Sequence, residues 1–180
     1  AGGGEAGSGG YDGDDGDDGD ASNGASTAAF VENASGRFES RWSQVRVAHG
    51  AAAATPWLDG MAGAVLGVWC AHGSGRLCGA AGDALAPLVY CDPEGTPTES
   101  YPFNPNGSPG GAAALVSPDG RHLAMMPHPE RAFLERQLPW APERLRERLR
   151  RQAGGAAPWL RLFRNAHRFR AQTDADGTSS

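Results

Sequence analysis

Ala113-Ala114-Leu115-Val116-Ser117-Pro118-Asp119-Gly120-Arg121-His122-Leu123-Ala124-Met125-Met126-Pro127-His128-Pro129-Glu130-Arg131 reads as two short apolar arms joined by a Ser-Pro-Asp-Gly turn. Such a turn favours a hairpin, so 113–116 and 123–126 are expected to pair as antiparallel strands. The second arm then delivers His128 and Glu130, each directly preceded by proline. Proline lacks a backbone N–H and pushes the residue before it into extended geometry, so Met126 and His128 are expected to be extended. In extended chain, residues i and i+2 project to one side, which would present the His128 imidazole and the Glu130 carboxylate together. A general base and its orienting acid are held this way in a nucleophilic triad. Spacing alone equally allows a strand end carrying an incidental acid–histidine pair.

Upstream, residues 37–47 set Phe38, Trp42, Val45 and Val47 among polar residues in imperfect alternation. That pattern predicts a half-buried strand with a bulge between Trp42 and Val45. The apolar run 61–71 predicts a second strand, ending at His72-Gly73-Ser74-Gly75-Arg76, and 85–90 a third, closed by the turn Asp92-Pro93-Glu94-Gly95. Gly73-Ser74-Gly75 on its own is a weak signal for phosphate binding. The alanine stretch 51–54 is too short to assign. Three prolines and three glycines within 101–111 forbid regular structure there. Downstream, two amphipathic helices are expected over about 142–152 and 158–170. Gly154-Gly155 ends the first, and Pro158 starts the second, where a missing N–H is harmless.

At 180 residues the chain is long enough for one domain with a core, beginning near Phe30. Before it, Tyr11-Asp12-Gly13-Asp14-Asp15-Gly16-Asp17-Asp18-Gly19-Asp20 and its Gly/Ala/Ser flanks have almost nothing to bury and repel themselves. Their Asp-x-Asp-Gly spacing suggests a calcium loop, but no glutamate closes a twelve-residue loop and no helix flanks it. Residues 1–29 are therefore read as a disordered insert or linker and 171–180 as a disordered tail. The net charge of −5 hides eleven arginines within 131–170, against Glu135, Glu143 and Glu147, and there is no lysine anywhere. An arginine-rich stretch is one way to bind nucleic acid. Here the arginines interleave with Leu145, Leu149, Trp159, Leu162, Phe163 and Phe169 at helical spacing, which charged outer helix faces explain without that partner. Cys70, Cys78 and Cys91 form no CxxC pair and no even set, so neither a disulfide framework nor a zinc site is expected, and a reducing compartment is. The sequons at Asn33 and Asn106 are then incidental. No run reaches transmembrane length. The chain does not begin with methionine and is expected to be a piece of a longer one.

Five blocks now stand in order: Asn33-Ala34-Ser35-Gly36-Arg37-Phe38-Glu39-Ser40-Arg41; Val68-Trp69-Cys70-Ala71-His72-Gly73-Ser74-Gly75-Arg76; Thr98-Glu99-Ser100-Tyr101-Pro102-Phe103-Asn104-Pro105-Asn106-Gly107-Ser108-Pro109-Gly110-Gly111; Met125-Met126-Pro127-His128-Pro129-Glu130-Arg131; and Pro158-Trp159-Leu160-Arg161-Leu162-Phe163-Arg164-Asn165-Ala166. Together they resemble the C-terminal glutaminase domain of the large, single-chain phosphoribosylformylglycinamidine synthases, over about 30–170. The resemblance implies an α/β fold, the flavodoxin-like fold of class I glutamine amidotransferases, here incomplete. It implies a cysteine–histidine–glutamate triad in which His128 takes the thiol proton and returns it to departing ammonia, and Glu130 orients His128. It also implies an ATP-dependent carbon–nitrogen ligase with glutamine as amido donor, working in purine synthesis in the cytoplasm or an organelle. The partners implied are glutamine and the remaining synthetase domains of the same chain, with neither nucleic acid nor membrane. No cofactor belongs to this segment; ATP and magnesium belong to the synthetase region.

One departure matters. The family's nucleophile sits on a Gly-x-Cys-x-Gly-x-Gln turn upstream of the first block, and this sequence has no Gly-x-Cys-x-Gly. The family's backbone oxyanion donors lie in that same region, so the triad has no first step here, and the chain is expected to be inactive alone. Cys70, two residues before His72, is the substitute to weigh, but within an apolar strand it reads as a small buried hydrophobe. Cys78 and Cys91 read as inert. His72 reads as a structural histidine capping its turn, and the family's usual glutamate is Ser at position 74. Asn104, Asn106 and Ser108 suit either the rim of a glutamine pocket or plain turn chemistry. His49, His122 and His167 match no catalytic position. The reading from another class is a pseudo-enzyme or regulatory module that keeps the fold without its cysteine.

Overall fold

The computed structural model describes residues 28–51, 55–79 and 86–177. The expected disorder of 1–29 therefore lies, up to residue 27, outside the described residues. Strands β1 (Ala29–Val31), β2 (Glu39–Val47), β3 (Val65–His72), β4 (Arg76–Cys78), β5 (Leu88–Cys91), β6 (Ala114–Val116) and β7 (Leu123–Met125) precede helices α1 (Glu143–Ala153) and α2 (Leu160–Gly177). Short 3-10 turns cover Pro56–Leu58, Pro109–Gly111, Pro129–Arg131 and Glu135–Gln137. The sheet order is β3-β2-β5, flanked by the two-stranded pairs β1-β4 and β6-β7, and every described ladder is antiparallel.

Strand β2 carries the core because its odd positions Ser43, Val45 and Val47 are buried on the same face as Val68 and Cys70 of β3 and Leu88 and Tyr90 of β5. The expected bulge is absent. Pairing runs one-to-one from Glu39↔His72 to Arg46↔Val65. Trp42 lies instead on the opposite face, edge-to-face with its partner Trp69 at 5.1 Å. Gly67 makes room for it: a Cβ there would fall 2.1 Å from the Trp42 ring. Imperfect alternation thus reflects two apolar faces, not a break in pairing.

The hairpin forms as expected, with Ala114↔Met125, Leu115↔Ala124 and Val116↔Leu123 in register. Thr55 donates its hydroxyl to Gly120 O (2.7 Å) and the Trp57 indole N–H bonds Arg121 O (3.0 Å), fixing the turn against the Pro56–Leu58 segment. Helix α1 ends at Gly154, whose φ of 58° is the left-handed cap that glycine adopts at least cost. Helix α2 starts two residues later than read, since Leu160, Arg161 and Leu162 bond back three residues in a tighter turn. It also runs to Gly177, past residue 171 where the tail was expected to begin: no proline or glycine interrupts 171–176, and a glycine ends it. Buried Trp159 donates to Gly67 O (2.8 Å), and Asn165 donates to the carbonyls of Trp57 and Asp59, so α2 is bonded to the sheet and to the segment under the hairpin. The arginine stripe is in part engaged locally. Arg146 and Arg150 meet Glu135, Arg150 also meets Glu143, and Arg168 meets Asp59. Among the described residues no helix is long and apolar enough to cross a membrane.

Candidate active site

Beyond Met125 the chain crosses to the free edge of β3, where the His128 N–H donates to Trp69 O at 2.7 Å. That bond fixes the backbone from which the imidazole projects. Pro129, with its preset φ, then opens a 3-10 turn over Pro129–Arg131, closed by Arg131 N–H to His128 O. Gln137 holds the far side of this turn, donating from Nε2 to Glu130 O (3.2 Å) while accepting the Leu134 N–H (2.8 Å).

Within this frame His128 Nδ1 lies 2.6 Å from Glu130 Oε1. The two side chains do meet, but not by the route the sequence suggested. Glu130 reaches the imidazole through the 3-10 turn rather than along an extended strand. The carboxylate favours the tautomer with hydrogen on Nδ1, which leaves Nε2 as the nitrogen able to take a proton. Arg131 Nε stands 3.6 Å from the same carboxylate oxygen. The pair edges a cleft of about 340 Å³ whose other walls are Trp57, Leu123, Met125, Met126 and Leu162. Apolar walls with one polar pair at the rim are the usual make-up of a small-molecule site.

His72 lies closer to this pair than the sequence reading allowed. It is 5% exposed, and its ring centroid is 6.3 Å from that of His128. Burial holds its pKa below the ordinary histidine value; the neighbouring Asn106 side chain opposes the shift and the charge on His128 reinforces it. Its carbonyl, not its ring, caps the turn, accepting from Asn33 Nδ2 (2.8 Å).

Asn104, Asn106 and Ser108 prove to be scaffold. Asn104 Oδ1 accepts the N–H groups of Gly107 and Ser108, and Asn104 Nδ2 donates to Ser108 O. Asn106 accepts from Tyr90 OH (2.6 Å) and donates to Asn33 Oδ1 (2.7 Å), which also receives the Gly75 N–H. Ser108 Oγ accepts the Leu77 N–H. The part of Asn33 was missed, because nothing in its own neighbourhood points 73 residues down the chain.

None of the three cysteines is bonded to His128 among the described residues. Cys70 is wholly buried on the inner face of β3, its Sγ 3.7 Å from Tyr90 OH, and burial raises its pKa. Cys91 is buried and likewise raised by desolvation, while Cys78 sits in the short β1–β4 ladder. A thiol held in its protonated form is a poor nucleophile.

Comparison with known proteins bears on these features. The CobB/CobQ-like glutamine amidotransferase domain family matches residues 16–170. A probable phosphoribosylformylglycinamidine synthase, chloroplastic/mitochondrial, of Arabidopsis thaliana is 50% identical over 149 residues, covering 78% of this chain and 10% of the relative. The phosphoribosylformylglycinamidine synthases of Homo sapiens and Dictyostelium discoideum are 48% and 46% identical, covering 76% and 78% of this chain and 10% and 11% of those proteins. The chain thus spans only about a tenth of the length of these curated relatives. Among solved structures, PurLQS from Thermotoga maritima superposes with a TM-score of 0.56 at 23% identity, covering 79% of this chain and 53% of that one. That likeness concerns the fold, and the mixed α/β architecture fits a class I glutamine amidotransferase domain.

Proposed function

The chain belongs to the CobB/CobQ-like glutamine amidotransferase family, and from that premise we propose that it is the C-terminal part of the glutaminase domain of a phosphoribosylformylglycinamidine synthase. In this reading a cysteine thiolate, brought by polypeptide outside these 180 residues, attacks the side-chain amide carbon of glutamine. His128 Nε2 takes the thiol proton and passes it to the amide nitrogen as ammonia leaves. Water, deprotonated by the same nitrogen, then hydrolyses the thioester to glutamate. Glu130 holds the tautomer and stabilises the imidazolium formed in between. Proton transfer of this kind contributes about 10²–10⁴-fold. The ammonia serves an ATP-dependent synthetase region, where it converts formylglycinamide ribonucleotide to its amidine.

The observation that carries this reading is the 2.6 Å contact between His128 Nδ1 and Glu130 Oε1 at the rim of an apolar cleft. Relatives of the same name, 46–50% identical to this chain, support the choice of synthase. ATP and magnesium are proposed to belong to the synthetase region, with no cofactor in this segment. The cytoplasm is the proposed compartment, with an organelle the counterpart in plants, following the name of the Arabidopsis relative.

The test is His128→Ala in the complete synthase polypeptide, assayed with glutamine and with ammonia. Glutamine-dependent amidine formation is expected to vanish while the ammonia-dependent reaction persists. Equal loss of both contradicts the division of labour. The alternative reading is a pseudo-enzyme or regulatory module of the same fold. Wild-type polypeptide that uses ammonia and never glutamine would decide for it.

A further inference from the structure

His72 is used by nothing described so far, yet its surroundings are built to confine it. It ends β3 on the inward face, in register with Glu39, which is buried and ion-paired to Arg41 at 2.6 Å. A Cβ on Gly75 would fall 2.4 Å from both Cδ2 and Nε2 of the ring, so only glycine lets that backbone close over it. The same point lies 2.5 Å from the Asn106 amide nitrogen, and Asn106 is itself held by Tyr90 and Asn33. On its other flank the imidazole meets His128, the rings tilted by 33°. Neither ring nitrogen has a hydrogen-bond partner of good geometry, although Asn106 and the Met126 backbone lie close enough to influence its charge. Both nitrogens are sealed from solvent, which removes direct contact with a substrate as their role.

We propose that His72 is a positioning residue for His128, its buried ring walling the catalytic imidazole so that Nδ1 stays on Glu130. This rests on the glutaminase reading above and adds a residue to it. Glu130 is half exposed and His128 a quarter exposed, so their contact alone leaves the imidazole free to swing. A ring packed against the rigid Asn33–Asn106–Tyr90 chain supplies the missing wall. The ring also has to be uncharged. The groups facing it are Glu39 from β2 with Arg41 behind it, Asn106 from the 104–108 loop, and the Met126 backbone and His128 from the catalytic loop with Glu130 beyond. Glu39 is already engaged by Arg41 and by Ser35, so a proton on His72 would act chiefly against the imidazolium that His128 must become.

The experiment compares wild type, His72→Gln, His72→Ala and His128→Ala in the complete synthase, with glutamine and with ammonia, across pH. Misplacing a reacting group by an ångström costs about 10²-fold, so His72→Ala should lower glutamine-dependent kcat by roughly 10–100-fold with KM for glutamine nearly unchanged. The ammonia-dependent rate should hold. His72→Gln, polar and uncharged, should recover most of kcat. It should also lose one protonation from the acid limb of the kcat profile, which becomes shallower than wild type. An acid limb equally steep in His72→Gln overturns the proposal even where His72→Ala fails to fold. So does a rise in KM without a fall in kcat, or an equal loss of both activities in both His72 variants. Glutaminase activity surviving in His128→Ala defeats the functional reading and this inference together. Its loss there, beside unaffected His72 variants, defeats the inference alone.

Discussion

Around Asn33, Asn104 and Asn106 every side-chain amide is sealed from solvent and hydrogen-bonded at both ends, whereas His128 and Glu130 share one contact and remain partly exposed. The first region is engaged by the fold; the second is held by backbone and leaves chemistry on offer. Buried polar networks are costly to break because each partner left behind is desolvated and unpaired. An exposed pair costs little to remove, since water replaces it. Stability and activity should therefore separate between the two regions.

The largest effect is expected at the pair. Glu130→Gln in the complete synthase should lower glutamine-dependent turnover by about 10²–10⁴-fold, because the imidazole loses the partner that sets its tautomer. Urea unfolding of the chain should show the same midpoint within error; a large shift would mean the pair also supports the fold. In the network, Asn106→Ala removes the acceptor of the Tyr90 hydroxyl and one of the two donors to Asn33 Oδ1, and should cost about 2–4 kcal/mol in urea unfolding. A neutral outcome there would erase the contrast. The hairpin tether is weaker. Thr55→Val removes one buried bond to Gly120 O and should cost about 1 kcal/mol.

The smallest effect sharpens the boundary between the regions. His72 binds its proton more weakly in the folded chain than in the unfolded one, where the ordinary value is 6.5. Below that pH the unfolded state binds more protons, so the stability contributed above pH 6.5 is lost as pH falls toward the folded value. His72→Gln should flatten that part of the stability–pH curve, and an unchanged slope would place the titration elsewhere.

Local pattern made much of this legible. The hairpin, β3, both helices and the glycine stop of α1 follow from periodicity and turn chemistry, which act over a few residues. What the pattern missed is set by distant partners. Trp42 looked like evidence of a bulge because its partner Trp69 and the gap at Gly67 lie across the sheet. β1 pairs with β4 across 45–49 residues, with too little apolar length to announce itself. Asn106 gained its meaning only from Asn33 and Tyr90. At the site, the pairing of His128 with Glu130 was readable, but its geometry was not: Pro129 starts a turn where extended chain was expected. His72 read as a turn residue because nothing local places a ring against a loop 56 residues later.

On the glutaminase reading the His128–Glu130 pair serves a thiol other than Cys70, Cys78 or Cys91. An electrophilic glutamine analogue, reacted with the complete synthase and located by peptide mass spectrometry, tests it most directly. An adduct is expected on a cysteine outside these 180 residues, formed at a rate that collapses in His128→Ala. An adduct on Cys70, or labelling that ignores the loss of His128, would contradict it.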